Sequence, residues 1–212
     1  MDLISPKVAA YLDLLVPPRD PLTAAMEVEA KKADFPIIGP ATGHLCYLLA
    51  RLTSARQVFE LGSGFGYSTA WFARAVMENG GGTVHHVVWD KGLSAKAREY
   101  LTALGLADLV AFHLGEAVEA LRTFAGSLDL VFNDIDKHGY PASLPVIESK
   151  LRRGGLLIVD NLLWSGKIFD PADRSRDTEG IRKLTELVTA SPKWIASIVP
   201  IRDGVLVARF GG

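Results

Sequence analysis

The sequence lacks several features that would assign it to a specialised class of protein. Cys46 is the only cysteine among 212 residues, so no disulfide can form within the chain, and we expect a reducing compartment, the cytoplasm. The 23 basic and 24 acidic residues nearly balance, which predicts neither a nucleic-acid partner nor an anionic membrane. No apolar run approaches the roughly 18 residues that a membrane-spanning helix needs. The first residues also lack the basic and apolar pattern of a signal peptide.

The remaining composition is that of an ordinary globular protein. Hydrophobic residues make up 49% of the chain and charged residues 22%, and this length suffices for one α/β domain with a sizeable core. We find no internal repeat. We therefore expect a single domain over residues 1–212, with a helical extension over residues 1–39 and a core over residues 40–212.

Strand-like and helix-like segments alternate along the core. Buried apolar runs predict strands near 57–61, 83–89, 109–114, 128–133 and 155–160. Helical patterns lie between them, near 67–78, 94–104, 116–124 and 141–151. Three more helices are expected before the first strand, near 6–15, 21–33 and 40–52. Such alternation predicts a mostly parallel sheet with helices on both faces, and hence the α/β class.

The C-terminal part departs from this alternation. After a helix near 177–190, the apolar segments 194–200 and 205–210 flank Asp203-Gly204, and Asp-Gly between two such segments predicts a hairpin. An antiparallel hairpin that closes a parallel sheet is more typical of a seven-stranded methyltransferase than of a dehydrogenase.

A glycine-rich loop follows the first predicted strand and precedes a helix. It reads Glu60-Leu-Gly62-Ser-Gly64-Phe-Gly66-Tyr67-Ser68. Glycines allow a tight turn and close approach to a ligand, and the helix presents free N–H groups. The loop fits a dinucleotide or S-adenosylmethionine, but the dinucleotide fingerprint expects glycine where Tyr67 stands. The alternative is a turn that needs glycine only for steric reasons; Glu60 argues against it, because a buried carboxylate needs donors.

Oxygen-bearing side chains follow two other predicted strands. Asp134 comes after 128–133, and Asp160 and Asn161 end the strand near 155–160. Because ligands bind at the carboxyl ends of strands in such sheets, we expect these side chains to share one crevice, with Lys137 beside them. Hard oxygen ligands suit Mg²⁺ first, with Ca²⁺ or Mn²⁺ as alternatives. The competing interpretation is an ordinary turn at Asp160 and a solvated surface pair at Lys137.

Four separated motifs occur in a characteristic order. They are Glu60-Leu-Gly62 with Gly66-Tyr67-Ser68, then Asp134-Ile-Asp136-Lys137-His-Gly-Tyr140, then Asp160-Asn161-Leu-Leu-Trp164-Ser165-Gly166, and finally Asp203-Gly204. Together they resemble the cation-dependent O-methyltransferases, the family that includes catechol and caffeoyl-CoA O-methyltransferases and many small bacterial relatives. The likeness spans roughly residues 28–210.

The resemblance implies a Rossmann-like class I methyltransferase fold, with S-adenosylmethionine over the first half of a seven-stranded sheet. It implies a divalent cation held by Asp134, Asp160 and Asn161, and Lys137 as the catalytic base next to Asp134. It also implies a homodimer. Together with the positions discussed next, the candidate cofactor-binding residues are Ile38, Glu60, Gly62, Gly66, Tyr67, Ser68, Trp89, Asp90, Glu116, Ala117 and Asp134.

The second predicted strand departs from the family pattern. The acid that binds the ribose hydroxyls in the family falls on Val88, which cannot accept a hydrogen bond. Either the strand ends two residues later, so that Asp90 binds the ribose, or Asp90 only caps the next helix; we expect the former. The indole of Trp89 then stacks on adenine, with a core position as the alternative. Glu116 and Ala117 are expected near the adenine edge, with helix capping as the alternative.

We therefore expect an O-methyltransferase that depends on S-adenosylmethionine and a divalent cation and acts on a small aromatic diol of the catechol type. One alternative is an NAD(P)-dependent Rossmann oxidoreductase, which Tyr67 and the terminal hairpin disfavour. Another is a family member that binds the cofactor without catalysis, which Val88 suggests. The segments expected to contact substrate, the N-terminal helices and 162–178, do not identify the substrate.

Overall fold

A sheet of seven strands forms the centre of the protein in a computed structural model, which describes residues 4–212. The strands are β1 (Gln57–Leu61), β2 (Thr83–Val88), β3 (Val110–Leu114), β4 (Leu128–Asn133), β5 (Leu151–Val159), β6 (Trp194–Val199) and β7 (Val205–Phe210). Their order across the sheet is β3-β2-β1-β4-β5-β7-β6. The first five strands pair in parallel, whereas β7 runs antiparallel to both β5 and β6. The predicted fold, including the C-terminal hairpin, is therefore confirmed.

Helices cover both faces of the sheet. They are α1 (Pro6–Leu15), α2 (Pro21–Lys32), α3 (Gly39–Leu52), α4 (Tyr67–Glu78), α5 (Lys91–Ala103), α6 (Ala117–Thr123), α7 (Tyr140–Lys150) and α8 (Arg176–Thr189). Strand residues alternate between the two cores: Val58 packs with the core of α2 to α5, and its neighbour Phe59 with that of α6 to α8. None of the helices within residues 4–212 has the length and apolar character needed to cross a membrane.

Helix caps explain where several helices begin. The Asp20 carboxylate accepts a hydrogen bond from the Leu22 N–H at 2.8 Å, and Pro21 occupies the first position of α2. The prediction for this helix start is confirmed. α5 begins at Lys91, three residues before the expected position, because Asp90 caps it by accepting from the Leu93 N–H at 2.8 Å.

Strand register aligns the ends of β1, β4 and β5. Leu61 pairs with Asn133, and Asn133 pairs with Val159. The next residues continue this alignment: the Asp134 N–H donates to the Leu61 carbonyl at 2.8 Å, and the Asp160 N–H donates to the Asn133 carbonyl at 3.3 Å. The chain therefore leaves the sheet at three adjacent points on one edge. Because β7 is antiparallel, the turn before it lies at the same edge.

Candidate functional site

A cleft of about 290 Å³ opens at this edge, between the glycine loop after β1, the segment 35–38 and the end of β4. Five predicted cofactor-binding residues line it, namely Ile38, Gly62, Tyr67, Ser68 and Asp134. The segment 35–38 was not predicted as a wall of the site except at Ile38. Phe35 secures it by packing edge-on against Phe65 of the glycine loop, with ring centroids 5.2 Å apart.

Two glycines of the loop are required for different reasons. Gly62 has φ 85°, and a Cβ there would lie 2.6 Å from the Asp134 carbonyl oxygen, so glycine lets β1 and β4 approach each other below the cleft. Gly66 has φ 91°, and its Cβ would lie 3.0 Å from the Cβ of Ala97 on α5. Gly66 is not among the residues that line the cleft. Close packing against α5 thus explains why glycine stands at position 66. For this residue, the structure favours the alternative in which the turn needs glycine only for steric reasons.

Tyr67 connects the glycine loop to the N-terminal helices. Its side chain is buried, and its hydroxyl donates a hydrogen bond to Glu27 of α2 at 2.9 Å. Glu27 also accepts two hydrogen bonds from Arg19, at 2.9 and 3.0 Å. Burial raises the pKa of the Tyr67 hydroxyl, and the Glu27 carboxylate adds to that effect. Tyr67, which disfavours a dinucleotide in the sequence, therefore holds α2 against the cleft.

Glu60 is fully buried beneath the loop and only partly satisfied. Its Oε2 accepts a hydrogen bond from the Thr69 hydroxyl at 2.5 Å, while Oε1 has no partner among the described residues. Burial raises its pKa to about 7, an increase that the nearby hydroxyls of Ser68 and Thr69 oppose. The Thr69 oxygen also lies 3.0 Å from Nδ1 of His86, in a buried polar chain that we did not predict. A hydrogen bond from a ligand donor to this unpaired buried oxygen would be favourable.

The structure corrects our expectation for the end of β2. The strand ends at Val88 and does not continue towards Asp90. Ser63 holds this end, because its N–H donates to the Val87 carbonyl at 3.0 Å and its Oγ accepts from the Val87 N–H at 2.9 Å. The proposed change of register is therefore wrong. Asp90 instead caps α5, which was the alternative interpretation of this residue. Whether Asp90 also binds a ribose stays a prediction.

Two further candidates lie at the ends of β2 and β3. The Trp89 side chain is 82% exposed, so the alternative of a core tryptophan is wrong and the indole is accessible at the cleft edge of the sheet. Glu116 uses both carboxylate oxygens to cap α6, accepting from the Val118 and Glu119 N–H groups at 3.0 and 2.7 Å. Its neighbour Ala117 is buried. Their cofactor contacts remain predictions.

The predicted cation ligands come together beside the cleft. Asp160 is 6% exposed, and its Oδ1 accepts a hydrogen bond from the Asn161 N–H at 2.9 Å. Burial raises the pKa of Asp160 to about 7, and the charge of Asp134 adds to the increase. Burial also raises the pKa of Asp134, although Lys137 opposes it. A buried carboxylate and a partly buried one that repel each other are a favourable setting for a cation.

The donor set is small. Residues 4–212 contain no group of three or more His, Cys, Asp or Glu side chains placed to hold a metal ion. The predicted set supplies two carboxylates and one amide, so the remaining ligands of a cation would be oxygens of water and substrate. This composition fits Mg²⁺, which keeps several such ligands in protein sites.

Asp203 orients the third predicted ligand, a role that we did not expect. Its Oδ2 accepts a hydrogen bond from Nδ2 of Asn161 at 3.4 Å, and its Oδ1 accepts from the Ser165 N–H at 2.5 Å. With Nδ2 directed at Asp203, the amide oxygen of Asn161 is free to act as a ligand. In the sequence, Asp203-Gly204 indicated a hairpin and was one of the four family motifs, but it indicated no role for the Asp203 side chain.

Lys137 lies between the two halves of the site. Its Nζ is 2.8 Å from Oδ1 of Asp134 and donates a second hydrogen bond to the Ile135 carbonyl at 3.3 Å. The same atom lies 5.5 Å from the ring centre of Tyr140 and 5.9 Å from that of Trp164. Trp164, which has φ 46°, is an aromatic wall of the site whose position the sequence did not reveal. The arrangement places an amine next to the carboxylate shared by the cleft and the predicted cation site.

Known proteins with similar sequences and structures were found for nearly the whole chain. A sequence model of a family described as O-methyltransferase matches residues 21–210. A catechol O-methyltransferase from Niastella koreensis is 32% identical over 193 residues, which cover 88% of this chain and 86% of that protein. One from Mycobacterium tuberculosis is 33% identical over 190 residues, covering 88% and 85%.

Solved structures agree with these sequence matches. The O-methyltransferase TomG from Streptomyces achromogenes, in complex with S-adenosylmethionine, superposes with a TM-score of 0.87 at 27% identity and covers 97% of this chain and 96% of its own. An O-methyltransferase from Bacillus cereus in complex with S-adenosylhomocysteine has a TM-score of 0.87 at 26% identity, covering 96% and 97%.

Proposed function

The chain belongs to the O-methyltransferase family, and on that premise we propose that it transfers the methyl group of S-adenosylmethionine to a hydroxyl of a catechol-like small molecule, with the help of a divalent cation. Family membership decides against the NAD(P)-dependent oxidoreductase. The observation that carries the proposal is the position of Asp134, which lines the cleft and stands next to Lys137. A methyl donor in the cleft and a diol at the carboxylates would meet there.

The cleft has the features that S-adenosylmethionine requires. Its lining combines backbone of the glycine loop with Ser68 and Asp134, and the unpaired Oε1 of Glu60 lies beneath that loop. The relatives solved with S-adenosylmethionine or its demethylated product share the fold over nearly their whole length. When bound, S-adenosylmethionine supplies a methyl group on a positively charged sulfur.

The cation ligands proposed are Asp134, Asp160 and Asn161, with Mg²⁺ as the first candidate and Ca²⁺ or Mn²⁺ as alternatives. The support is the hard-oxygen donor set and the raised pKa of both carboxylates, which positive charge would lower. When bound, a divalent cation would lower the pKa of the substrate hydroxyl.

Lys137 is the base in this mechanism. In its neutral form, Nζ accepts the proton as the substrate O–H bond breaks, and Asp134 beside it holds the resulting ammonium at 2.8 Å. The substrate oxygen, deprotonated next to Asp134, would then take the methyl group that bound S-adenosylmethionine would supply, with the neutral thioether as leaving group. A positioned base contributes about 10²- to 10⁴-fold, and alignment of the oxygen, carbon and sulfur atoms supplies more.

Trp89 provides a direct test of cofactor binding. We expect S-adenosylmethionine to change the tryptophan fluorescence of the wild type in a saturable way, because the exposed indole would stack on adenine. The change should disappear in Trp89→Phe and persist in Trp194→Phe, since Trp194 lies at the opposite edge of the sheet against Phe210. An equal change in Trp89→Phe argues against stacking. Calorimetry that detects binding of NAD but not of S-adenosylmethionine refutes the function itself.

We also propose that the protein is a cytoplasmic homodimer whose partner in catalysis is a small molecule rather than nucleic acid or membrane. Apolar side chains that remain exposed on the N-terminal helices support the dimer; they are Val8, Tyr11, Leu14, Leu15, Val28, Leu48 and Leu52. Exposed apolar side chains that lie together on a surface commonly mark a protein–protein interface. Light scattering should give twice the monomer mass for the wild type. The double variant with Leu14→Glu and Leu48→Glu should have a lower mass. A monomeric wild type contradicts the proposal.

A further inference from the structure

Arg202 lies in the turn between β6 and β7, at the edge of the sheet that carries the site. Its Nη1 donates a hydrogen bond to the Ile37 carbonyl at 2.5 Å, and Ile37 lines the cofactor cleft. The next residue, Asp203, holds Asn161 and Ser165. The side chain of Arg202 therefore extends from the loop of the proposed cation site to the wall of the cleft.

The backbone conformation at Arg202 does not favour an arginine there. Arg202 has φ 48°, in the left-handed region where glycine is more favourable. Its guanidinium lies against Gly39, where a Cβ would be 3.0 Å from Nη1 and 3.3 Å from Cζ. A strained residue whose side chain reaches the site is a candidate for function.

Most of the hydrogen-bonding capacity of Arg202 is free. A guanidinium has five N–H donors, and the bond to Ile37 is the one recorded for it among the described residues, with no carboxylate in ion-pair contact. Its charge nevertheless acts on the site, because it opposes the rise that burial causes in the pKa of Asp134 and of Asp160. The Lys137 ammonium, by contrast, is paired with Asp134. Arg202 is thus a positive group at this edge with donors available for an anion; Lys167, whose Nζ lies 5.5 Å from the ring centre of Trp164, is another.

We propose that Arg202 selects aromatic diols that carry a carboxylate, by binding that carboxylate while the two hydroxyls lie at Asp134, Asp160 and Asn161. This inference rests on the proposed function and narrows its substrate class. The planar fork of arginine matches the two oxygens of a carboxylate and forms strong, oriented hydrogen bonds with it. The competing occupant is the carboxylate of S-adenosylmethionine in the adjoining cleft, and the experiment below separates the two.

The test compares kcat/KM for 3,4-dihydroxybenzoate and for uncharged catechol, each with S-adenosylmethionine and Mg²⁺. The wild type should prefer dihydroxybenzoate. In Arg202→Gly, which suits φ 48°, the ratio of the two values should fall by about 10-fold, mainly through KM for dihydroxybenzoate. Arg202→Lys keeps the positive charge but lacks the planar fork of arginine, so the ratio should fall less in this variant. The matched control is Arg209→Gln, another arginine of the hairpin, at the far end of β7 next to Gly154.

Each outcome decides the question. A ratio that does not change in Arg202→Gly overturns the inference, as does an equal fall in Arg209→Gln. A higher KM for S-adenosylmethionine with an unchanged ratio assigns Arg202 to the methyl donor and also overturns it. If the wild type methylates neither diol, the proposed function fails and the inference fails with it. Methylation of both diols without the predicted preference refutes the inference alone.

Discussion

Lys137→Ala is expected to lower kcat for methylation of a catechol by about 10²- to 10⁴-fold, the contribution of a positioned base. The reason is geometric: Nζ of Lys137 is the amine next to Asp134, where the methyl donor and the hydroxyl would meet. Binding of S-adenosylmethionine should change little, because Lys137 is not among the residues that line the cleft. Single-turnover kinetics with saturating cofactor measure the loss, and calorimetry measures the cofactor affinity.

Lys137→Arg separates a base from a mere positive charge. Arginine keeps the charge beside Asp134 but does not lose its proton in proteins, so the variant should be as slow as Lys137→Ala. Lys183→Ala serves as the control, since Lys183 lies on the surface of α8 and pairs only with Glu186 there. Recovery of activity in Lys137→Arg would show that charge alone is needed and would contradict the assigned role.

Asp160→Ala is expected to abolish tight binding of Mg²⁺ and to lower kcat/KM by about 10³-fold. The Asp160 carboxylate is buried beside that of Asp134, and removing it halves the negative charge of the proposed ligand set. The estimate follows from the several kcal/mol that a metal ion contributes to stabilising developing charge, at 1.36 kcal/mol for each tenfold in rate. Calorimetry with Mg²⁺ alone measures the affinity independently of catalysis.

A neighbouring carboxylate provides the control for this variant. Asp136 is exposed on the loop after β4 and makes no side-chain hydrogen bond that caps the following turn. Asp136→Asn should therefore keep both cation affinity and activity. Wild-type affinity for Mg²⁺ in Asp160→Ala would contradict the ligand assignment, whatever happens to the rate.

Local patterns in the sequence predicted most of the fold. β1 and α4 begin and end where we expected, because the glycine loop between them interrupts both periodicities. β5 was predicted to start near Gly155, where the apolar run begins. In the structure the strand starts at Leu151, and Gly154, with φ 80°, lies at a register shift within it. A glycine at such a point can mark either a turn or a bulge, and only the partner strand decides between the two.

The candidate site was likewise predicted only in part. The sequence predicted the meeting of Asp134, Asp160 and Asn161, because neighbouring parallel strands deliver their ends to one edge. It could not predict contacts between distant segments that belong to no motif. Arg202 and Ile37 are 165 positions apart, and no periodicity connects them. The end of β2 was misjudged for a related reason, since the Ser63 side chain that holds Val87 lies on another strand's loop.

The most direct test of the account is methyl transfer from S-adenosylmethionine to a catechol, followed by mass spectrometry with Mg²⁺, with excess EDTA, and after Mg²⁺ is restored. The account predicts one methylated product for each S-adenosylhomocysteine formed, loss of both in EDTA, and recovery when Mg²⁺ returns. Methylation that continues undiminished in EDTA would contradict the role of Asp134, Asp160 and Asn161. Binding of S-adenosylmethionine without methylation of any diol would instead identify a family member that binds the cofactor but does not perform this reaction.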